Sequence, residues 1–174
     1  MKKAIFLDRD GTLNIFERGA YITKPEQIKL LDGAAALVKA INEQGYLAII
    51  ISNQGGVMAH HGLSITDVEA INQRLIDLLA AEGAQIDAAK FCPHYPSVDG
   101  VCDCRKPKPG LINECVTQFE INRLDSYMVG DFDSDVQAGK AAGVKTIKIG
   151  KKTQATPDFL AADLSEVKDY IRKL

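Results

Sequence analysis

The chain has 174 residues, 46% hydrophobic and 25% charged, a balance typical of a globular protein with its own apolar core. A formal net charge of −2 excludes the strong positive field that general binding to nucleic acid or to an anionic membrane requires. No run approaches the roughly 20 apolar residues of a membrane span, and the apolar stretch after Met1–Lys3 is too short for a signal peptide. We therefore expect a cytoplasmic monomer that forms one domain over residues 1–174 and has no nucleic-acid or membrane partner.

Strands and helices are predicted to alternate along the chain. Apolar runs predict strands at Ala4–Asp8, Tyr46–Ser52, Ala88–Phe91, Ser126–Gly130 and Val144–Ile149. Helical periodicity predicts helices over Gly33–Gln44, from Ser64 or Thr66 onward with a Thr66–Glu69 capping box, and over Pro109–Phe119, Ser134–Ala142 and Ser165–Leu174. This order favours an α/β fold: a three-layer, Rossmann-like parallel sheet with helices on both faces and no large cap domain.

Acidic residues follow two of the predicted strands. The first strand ends in the motif Asp8–Thr12, and the strand at 126–130 is followed by Asp131. Because ligands of such sheets bind beyond the carboxyl ends of the strands, Asp8, Asp10 and Asp131 are expected around one crevice. Clustered carboxylates repel one another, and a divalent cation with a preference for oxygen, such as Mg²⁺, removes that repulsion.

The same residues are suited to phosphoryl transfer. An ionised Asp8 can attack phosphorus, and Asp10 can give a proton to the leaving oxygen and later take one from water. Ser52 ends the second strand, where its hydroxyl can hold a phosphate, and Lys106 can offset the negative charges. Taken singly, Asp8 and Asp10 also fit a turn at Gly11, Ser52 a strand cap and Lys106 an exposed lysine.

Together these residues resemble the haloacid dehalogenase superfamily of phosphatases over nearly the whole chain. Asp8–Thr12 matches the first family motif, Ser52 the second, Lys106 the third and Gly130-Asp131 the fourth. The resemblance implies that Asp8 is the nucleophile, Asp10 the acid/base, and Asp8, Asp131 and the main-chain carbonyl of Asp10 the Mg²⁺ ligands. It also implies that Asp135 supports Lys106 or the metal waters.

A second cluster of potential metal ligands lies between residues 92 and 104. Cys92 and His94 are followed by Cys102 and Cys104. Three thiolates and an imidazole suit a tetrahedral zinc site, and a full protein ligand set indicates a structural role in a small zinc-bound loop. A loop with reduced free thiols is the alternative. Cys115 has helical spacing with apolar neighbours and is expected in the core.

The zinc loop directly precedes the basic pair of the third motif. A rigid loop would hold Arg105 and Lys106 beside the phosphate, with Arg105 free to bind a second anionic or hydroxyl group. The combination resembles the zinc-loop branch of the superfamily, which includes heptose 1,7-bisphosphate and histidinol-phosphate phosphatases. The resemblance adds Asn53 and Gln54 as substrate-binding residues. Glu17, Arg18 and Gly19 are further candidates to contact substrate hydroxyls.

Three functions remain open at this point. The first is a Mg²⁺-dependent phosphatase, a phosphoric monoester hydrolase that removes the 7-phosphate of D-glycero-D-manno-heptose 1,7-bisphosphate. The second keeps the chemistry but acts on histidinol phosphate. The third is a non-catalytic phospho-acceptor module; Asp10 argues against it, because such a module needs no second carboxylate to turn over. We expect His60 and His61 to lie in an exposed loop.

Overall fold

The computed structural model describes residues 1–17, 21–151 and 154–174. Its strands are β1 Ala4–Leu7, β2 Leu47–Asn53, β3 Ala88–Cys92, β4 Tyr127–Gly130, β5 Lys145–Ile149 and β6 Phe159–Ala161. Its α-helices are α1 Ala34–Glu43, α2 Gly55–His61, α3 Ile65–Ala81, α4 Pro96–Asp99, α5 Gly110–Phe119, α6 Asp133–Ala142 and α7 Leu164–Ile171.

The strands form one parallel sheet in the order β3-β2-β1-β4-β5-β6. The chain starts in the middle of this sheet and is wound outward to both edges, so β1 is paired with β2 on one side and β4 on the other. Leu7 lies opposite both Ile50 and Val129 in these two pairings. The residues that follow these three strands are therefore delivered to one edge of the sheet.

Each face of the sheet carries its own hydrophobic core. Ile5 and Leu7 of β1 face the core that contains the apolar side chains of α1, α3 and α7. Ala4 and Phe6, on the opposite face of the same strand, pack with those of α5 and α6. A strand buried on both faces must be apolar throughout, which explains the continuous run at residues 4–7. The predicted three-layer Rossmann-like fold is confirmed.

Some local predictions were wrong. The segment with His60 and His61 is helix α2, although both histidines are exposed as expected. The capping box of α3 joins Ser64 to Asp67, two residues earlier than the predicted Thr66–Glu69 pair. Strand β6 and the single turn α4 were not predicted because neither has a sustained apolar pattern. In the described part of the chain, no helix is long and apolar enough to cross a membrane.

Candidate active site

Three carboxylates meet at the edge of the sheet where β1, β2 and β4 end. Asp8 directly follows β1, Asp131 follows β4, and Asp135 lies in the first turn of α6. One carboxylate oxygen from each lies within 4.8 Å of the others. Parallel pairing produces this convergence, because the backbone N–H of Asp8 continues the ladder by donating to the carbonyl of Val129 at 2.9 Å.

Lys106 joins two of these carboxylates. Its Nζ lies 2.7 Å from Asp8 Oδ1 and 2.7 Å from Asp135 Oδ1, and it donates to the carbonyl of Ile51 at 2.8 Å. Only 4% of Lys106 is exposed. Burial alone would lower its pKa, but the carboxylates of Asp135 and Asp8 outweigh that effect and raise it, so the ammonium stays charged. The expected contact between Asp135 and Lys106 is present.

The remaining negative charge in the cluster is poorly compensated. Burial raises the pKa of Asp8 to about 7 against the attraction of Lys106, and Asp135 contributes in the same direction. Burial and the neighbouring Asp135 also raise the pKa of Asp131 to about 6. Carboxylates held in this way favour a bound cation, and their hard oxygen atoms suit Mg²⁺.

Asp10 has a different environment from the other acidic residues. Its carboxylate accepts hydrogen bonds from Arg9 at 3.1 and 2.9 Å, from Gln54 Nε2 at 2.9 Å and from Asn14 Nδ2 at 3.0 Å. Burial would raise its pKa, but the Arg9 guanidinium and these hydrogen bonds lower it overall. Asp8 and Asp10 thus stand two residues apart with oppositely shifted pKa values.

A cleft of about 270 Å³ opens above the carboxylates. Its lining combines acidic, basic and aromatic side chains: Asp8, Asp10, Phe16, Tyr21, Asn53, Gln54, Val57, Arg105, Lys106, Phe132, Ser134 and Asp135. Ser52 lies at the end of β2 and is only 1% exposed. Its Oγ is one of the few buried side-chain oxygens of the described residues without a hydrogen-bond partner. A ligand oxygen that entered the site could supply that partner.

Two of the expected substrate-binding residues already contact neighbouring protein groups. Asn53 Nδ2 donates to the carbonyl of Lys106, and its Oδ1 accepts from the N–H of Lys106, both at 3.0 Å. Gln54 bridges Arg9 and Asp10 through both ends of its amide. These contacts position catalytic candidates, although both side chains also line the cleft.

The other substrate-binding candidates differ in whether they line the cleft. Arg105 lines the cleft and donates from Nη1 to the carbonyl of His94 at 3.3 Å. Glu17 is exposed and is not among the described residues that line the cleft. Arg18 and Gly19 lie outside the described residues.

The cysteine–histidine loop brings four possible ligands together. The Sγ atom of Cys92 lies 3.6 Å from that of Cys102 and 3.1 Å from that of Cys104, and the Sγ atoms of Cys102 and Cys104 are 3.5 Å apart. His94 Nδ1 lies 3.2 Å from Cys104 Sγ. A tetrahedral zinc ion with ordinary Zn–S bonds separates its sulfur ligands by about 3.8 Å, so the four donors are close to such an arrangement. None of these three cysteines forms a disulfide, and neither does the buried Cys115 of the core.

Comparisons with known proteins agree with this geometry. The HAD-hydrolase-like family model matches residues 103–167. The D-glycero-beta-D-manno-heptose-1,7-bisphosphate 7-phosphatase of Pasteurella multocida is 38% identical over 158 residues, which cover 87% of this chain and 84% of that protein. The chain belongs to the haloacid dehalogenase-like phosphatases. The Escherichia coli K12 enzyme of the same name is 32% identical and aligns with 98% of this chain and 94% of its own.

A solved structure extends the similarity to three dimensions. The D,D-heptose 1,7-bisphosphate phosphatase of B. bronchiseptica, complexed with magnesium and phosphate, has a TM-score of 0.85 and 26% identity. The match covers 98% of both chains. This phosphatase is therefore a phosphoric monoester hydrolase of the branch that contains the heptose bisphosphate 7-phosphatases, as the sequence predicted.

Two buried polar residues of the phosphatase were missed as site residues. Arg9 lies inside the first motif, and Asn72 lies on α3. The signal for Asn72 was present: it falls on the buried stripe formed by Val68, Ile71 and Leu75, where a polar side chain needs a partner. That partner is Arg9, whose Nη1 donates to Asn72 Oδ1 at 2.9 Å.

Gly130 is required for the position of Asp135. A Cβ at residue 130 would lie 2.1 Å from Asp135 Oδ2. We expect Gly130→Ala to push this carboxylate off Lys106 and to lower kcat roughly 10- to 100-fold. Gly139→Ala is a matched control, because its Cβ would crowd Thr146 and Met128 instead. It should lower the melting temperature and leave kcat per folded molecule unchanged; equal kcat values for the two variants would contradict the prediction.

Proposed function

We propose that this phosphatase removes the 7-phosphate of D-glycero-D-manno-heptose 1,7-bisphosphate through an aspartyl-phosphate on Asp8. The observation that carries the proposal is the 2.7 Å ion pair between Asp8 and Lys106, both of which line the cleft. Asp131 belongs to the same carboxylate cluster as Asp8. Similarity to relatives that carry the name of this activity supports the choice of substrate.

The transferred phosphate would bind directly above Asp8. Lys106 offers a permanently charged ammonium at this point, and the buried Ser52 hydroxyl has its hydrogen-bonding capacity free. Both groups can neutralise or bind the non-bridging phosphate oxygens without further reorganisation. Asn53 keeps Lys106 in place through its two hydrogen bonds to the Lys106 backbone.

The first chemical step forms the phosphoenzyme. A carboxylate oxygen of Asp8 attacks phosphorus in line with the ester oxygen of C7, and the P–O(C7) bond breaks as the new O–P bond forms. Asp10, in its protonated form, gives its proton to the departing sugar oxygen. The products are the aspartyl-phosphate and the heptose 1-phosphate with a free C7 hydroxyl.

The second step returns the enzyme to its starting state. Asp10, now ionised, takes a proton from a water molecule as the water oxygen attacks phosphorus. The bond between phosphorus and the Asp8 oxygen breaks, and inorganic phosphate leaves. Burial raises the pKa of Asp10, but Arg9 and the other hydrogen-bond donors lower it overall, so Asp10 is ionised in the free enzyme. The protonated form that the first step uses must therefore arise in the enzyme–substrate complex.

The carboxylate cluster fits a catalytic Mg²⁺. The observation that supports the ion is the set of clustered oxygens with raised pKa values at Asp8 and Asp131. We assign Asp8, Asp131 and the main-chain carbonyl of Asp10 as its protein ligands, with Asp135 held by Lys106. When bound, Mg²⁺ would neutralise the carboxylates and the phosphate oxygens.

The loop of Cys92, His94, Cys102 and Cys104 fits a structural Zn²⁺. Its four donors are of the right type and number, and all four positions would be filled by protein. The chain passes directly from Cys104 to Arg105 and Lys106, so an ordered loop would fix both basic residues at the cleft. Arg105 can then bind the 1-phosphate of the substrate with a bidentate pair of N–H groups.

A direct substrate comparison tests the proposal. With Mg²⁺ present, phosphate release from the heptose bisphosphate should show a kcat/KM at least about 100-fold above that from histidinol phosphate, since only the former offers Arg105 a second phosphate. ³¹P NMR of the product should show that the anomeric phosphate is retained. A preference for histidinol phosphate would select that enzyme class, and equal, poor rates would exclude both substrates.

A further inference from the structure

Arg9 is a fully buried cation in the first motif, with 1% of its surface exposed. It donates four hydrogen bonds to three side chains. Its Nε and one Nη2 N–H hold the two oxygens of Asp10, the other Nη2 N–H reaches Gln54 Oε1 at 2.9 Å, and Nη1 reaches Asn72 Oδ1 at 2.9 Å. A buried guanidinium with this many partners is held in one orientation.

The partners come from three separate parts of the fold. Asp10 follows β1, Gln54 follows β2, and Asn72 lies on α3, which packs against the core through Ile71 and Leu75. Asn72 is 4% exposed and 63 residues from Arg9 in the chain. The charges of Arg9 and Asp10 compensate each other, so no further charged group is needed beside the guanidinium. Asn72 supplies a neutral hydrogen-bond acceptor instead.

We propose that Asn72 is a positioning residue that acts through Arg9 to hold the carboxylate of Asp10 in its reactive orientation. The proposal rests on the acid/base function of Asp10 given above. Asn72 does not line the cleft with the other described residues, so its effect must pass through the guanidinium.

The geometry gives a physical reason for this role. The paired contacts from Nε and Nη2 fix both oxygens of Asp10, so any rotation of the guanidinium moves the carboxylate. The bond from Nη1 to Asn72 lies on the opposite branch of the guanidinium and prevents that rotation. A general acid must lie within hydrogen-bond reach of the leaving oxygen, so a small displacement of the carboxylate slows proton transfer.

The test uses two substrates that differ in their need for a proton. When a sugar phosphate is cleaved, the sugar leaves as an alkoxide unless its departing oxygen is protonated. Cleavage of p-nitrophenyl phosphate instead releases a stable phenolate. We expect Asn72→Leu, which keeps side-chain size and removes the acceptor, to lower kcat/KM about 10-fold for heptose bisphosphate and less than about 2-fold for p-nitrophenyl phosphate. The ratio of the two values is independent of the folded fraction, because both are measured on one preparation.

Three variants complete the design. Asn72→Gln keeps a neutral amide acceptor and should preserve most of the wild-type ratio, and Gln73→Leu makes the same kind of change as Asn72→Leu at an exposed position of α3 and should leave the ratio unchanged. Asp10→Asn should change the ratio more than Asn72→Leu does. If Asp10→Asn alters the ratio and Asn72→Leu does not, the role of Asn72 is refuted. If Asp10→Asn leaves the ratio unchanged, the acid assignment in the proposed function fails instead.

Discussion

Asp8→Asn should lower kcat at least about 10³-fold with heptose bisphosphate, since an amide cannot act as the nucleophile that forms the phosphoenzyme. The fold should survive the change. Asn keeps the size of Asp and an oxygen that can accept from Lys106, and the lysine retains its 2.7 Å ion pair with Asp135. Steady-state phosphate release, together with mass spectrometry of acid-quenched enzyme, measures both the rate and the covalent intermediate.

The control for this variant is Asp103→Asn. Asp103 forms an exposed ion pair with Lys108 at 3.2 Å, and its removal should leave kcat within about 2-fold. Wild-type enzyme quenched during turnover should carry a phosphoryl group on the peptide that contains Asp8. Near-normal turnover by Asp8→Asn, or a phosphoryl group on another residue, would rule out the mechanism.

Cys102→Ser should remove the zinc and destabilise the protein by at least about 3 kcal/mol, because binding of a structural metal contributes directly to folding. The loss should also lower activity, since Cys104, two residues on, leads directly into Arg105 and Lys106. Elemental analysis should find about one zinc per wild-type chain and much less in the variant. Urea unfolding gives the change in the free energy of unfolding.

Cys115→Ala separates a zinc effect from a general effect of losing a buried cysteine. Cys115 lies on α5 and is fully buried in the same core cluster as Cys92, but it is not one of the four candidate ligands. Its replacement should cost less stability and leave the zinc content unchanged. Native wild-type protein in which all four thiols react rapidly with a thiol reagent would contradict the zinc assignment. Removal of magnesium by EDTA should abolish the activity of every variant that is otherwise active.

Most strands of the sheet could be predicted from local patterns, because those patterns report burial directly. The apolar runs of β1, β2 and β4 are buried on both faces, so each run was visible without knowledge of its neighbours. Strand β6 has three residues, one of them exposed, and depends on its pairing with β5. A strand of that kind is defined by its partner and not by its own residues.

The sequence by itself determined the fold class and the types of residue gathered at the candidate site, because clustered carboxylates, a lysine and a set of cysteines with one histidine are recognisable by type and spacing. Only the tertiary structure decided which groups touch. In the folded protein, Asn53 forms hydrogen bonds with the backbone of Lys106, and Gln54 forms them with Arg9 and Asp10. Asn72 accepts a hydrogen bond from a guanidinium 63 residues away in the chain. Such contacts form between elements that are far apart in the chain, and no local pattern records the direction in which a polar side chain points once two elements meet.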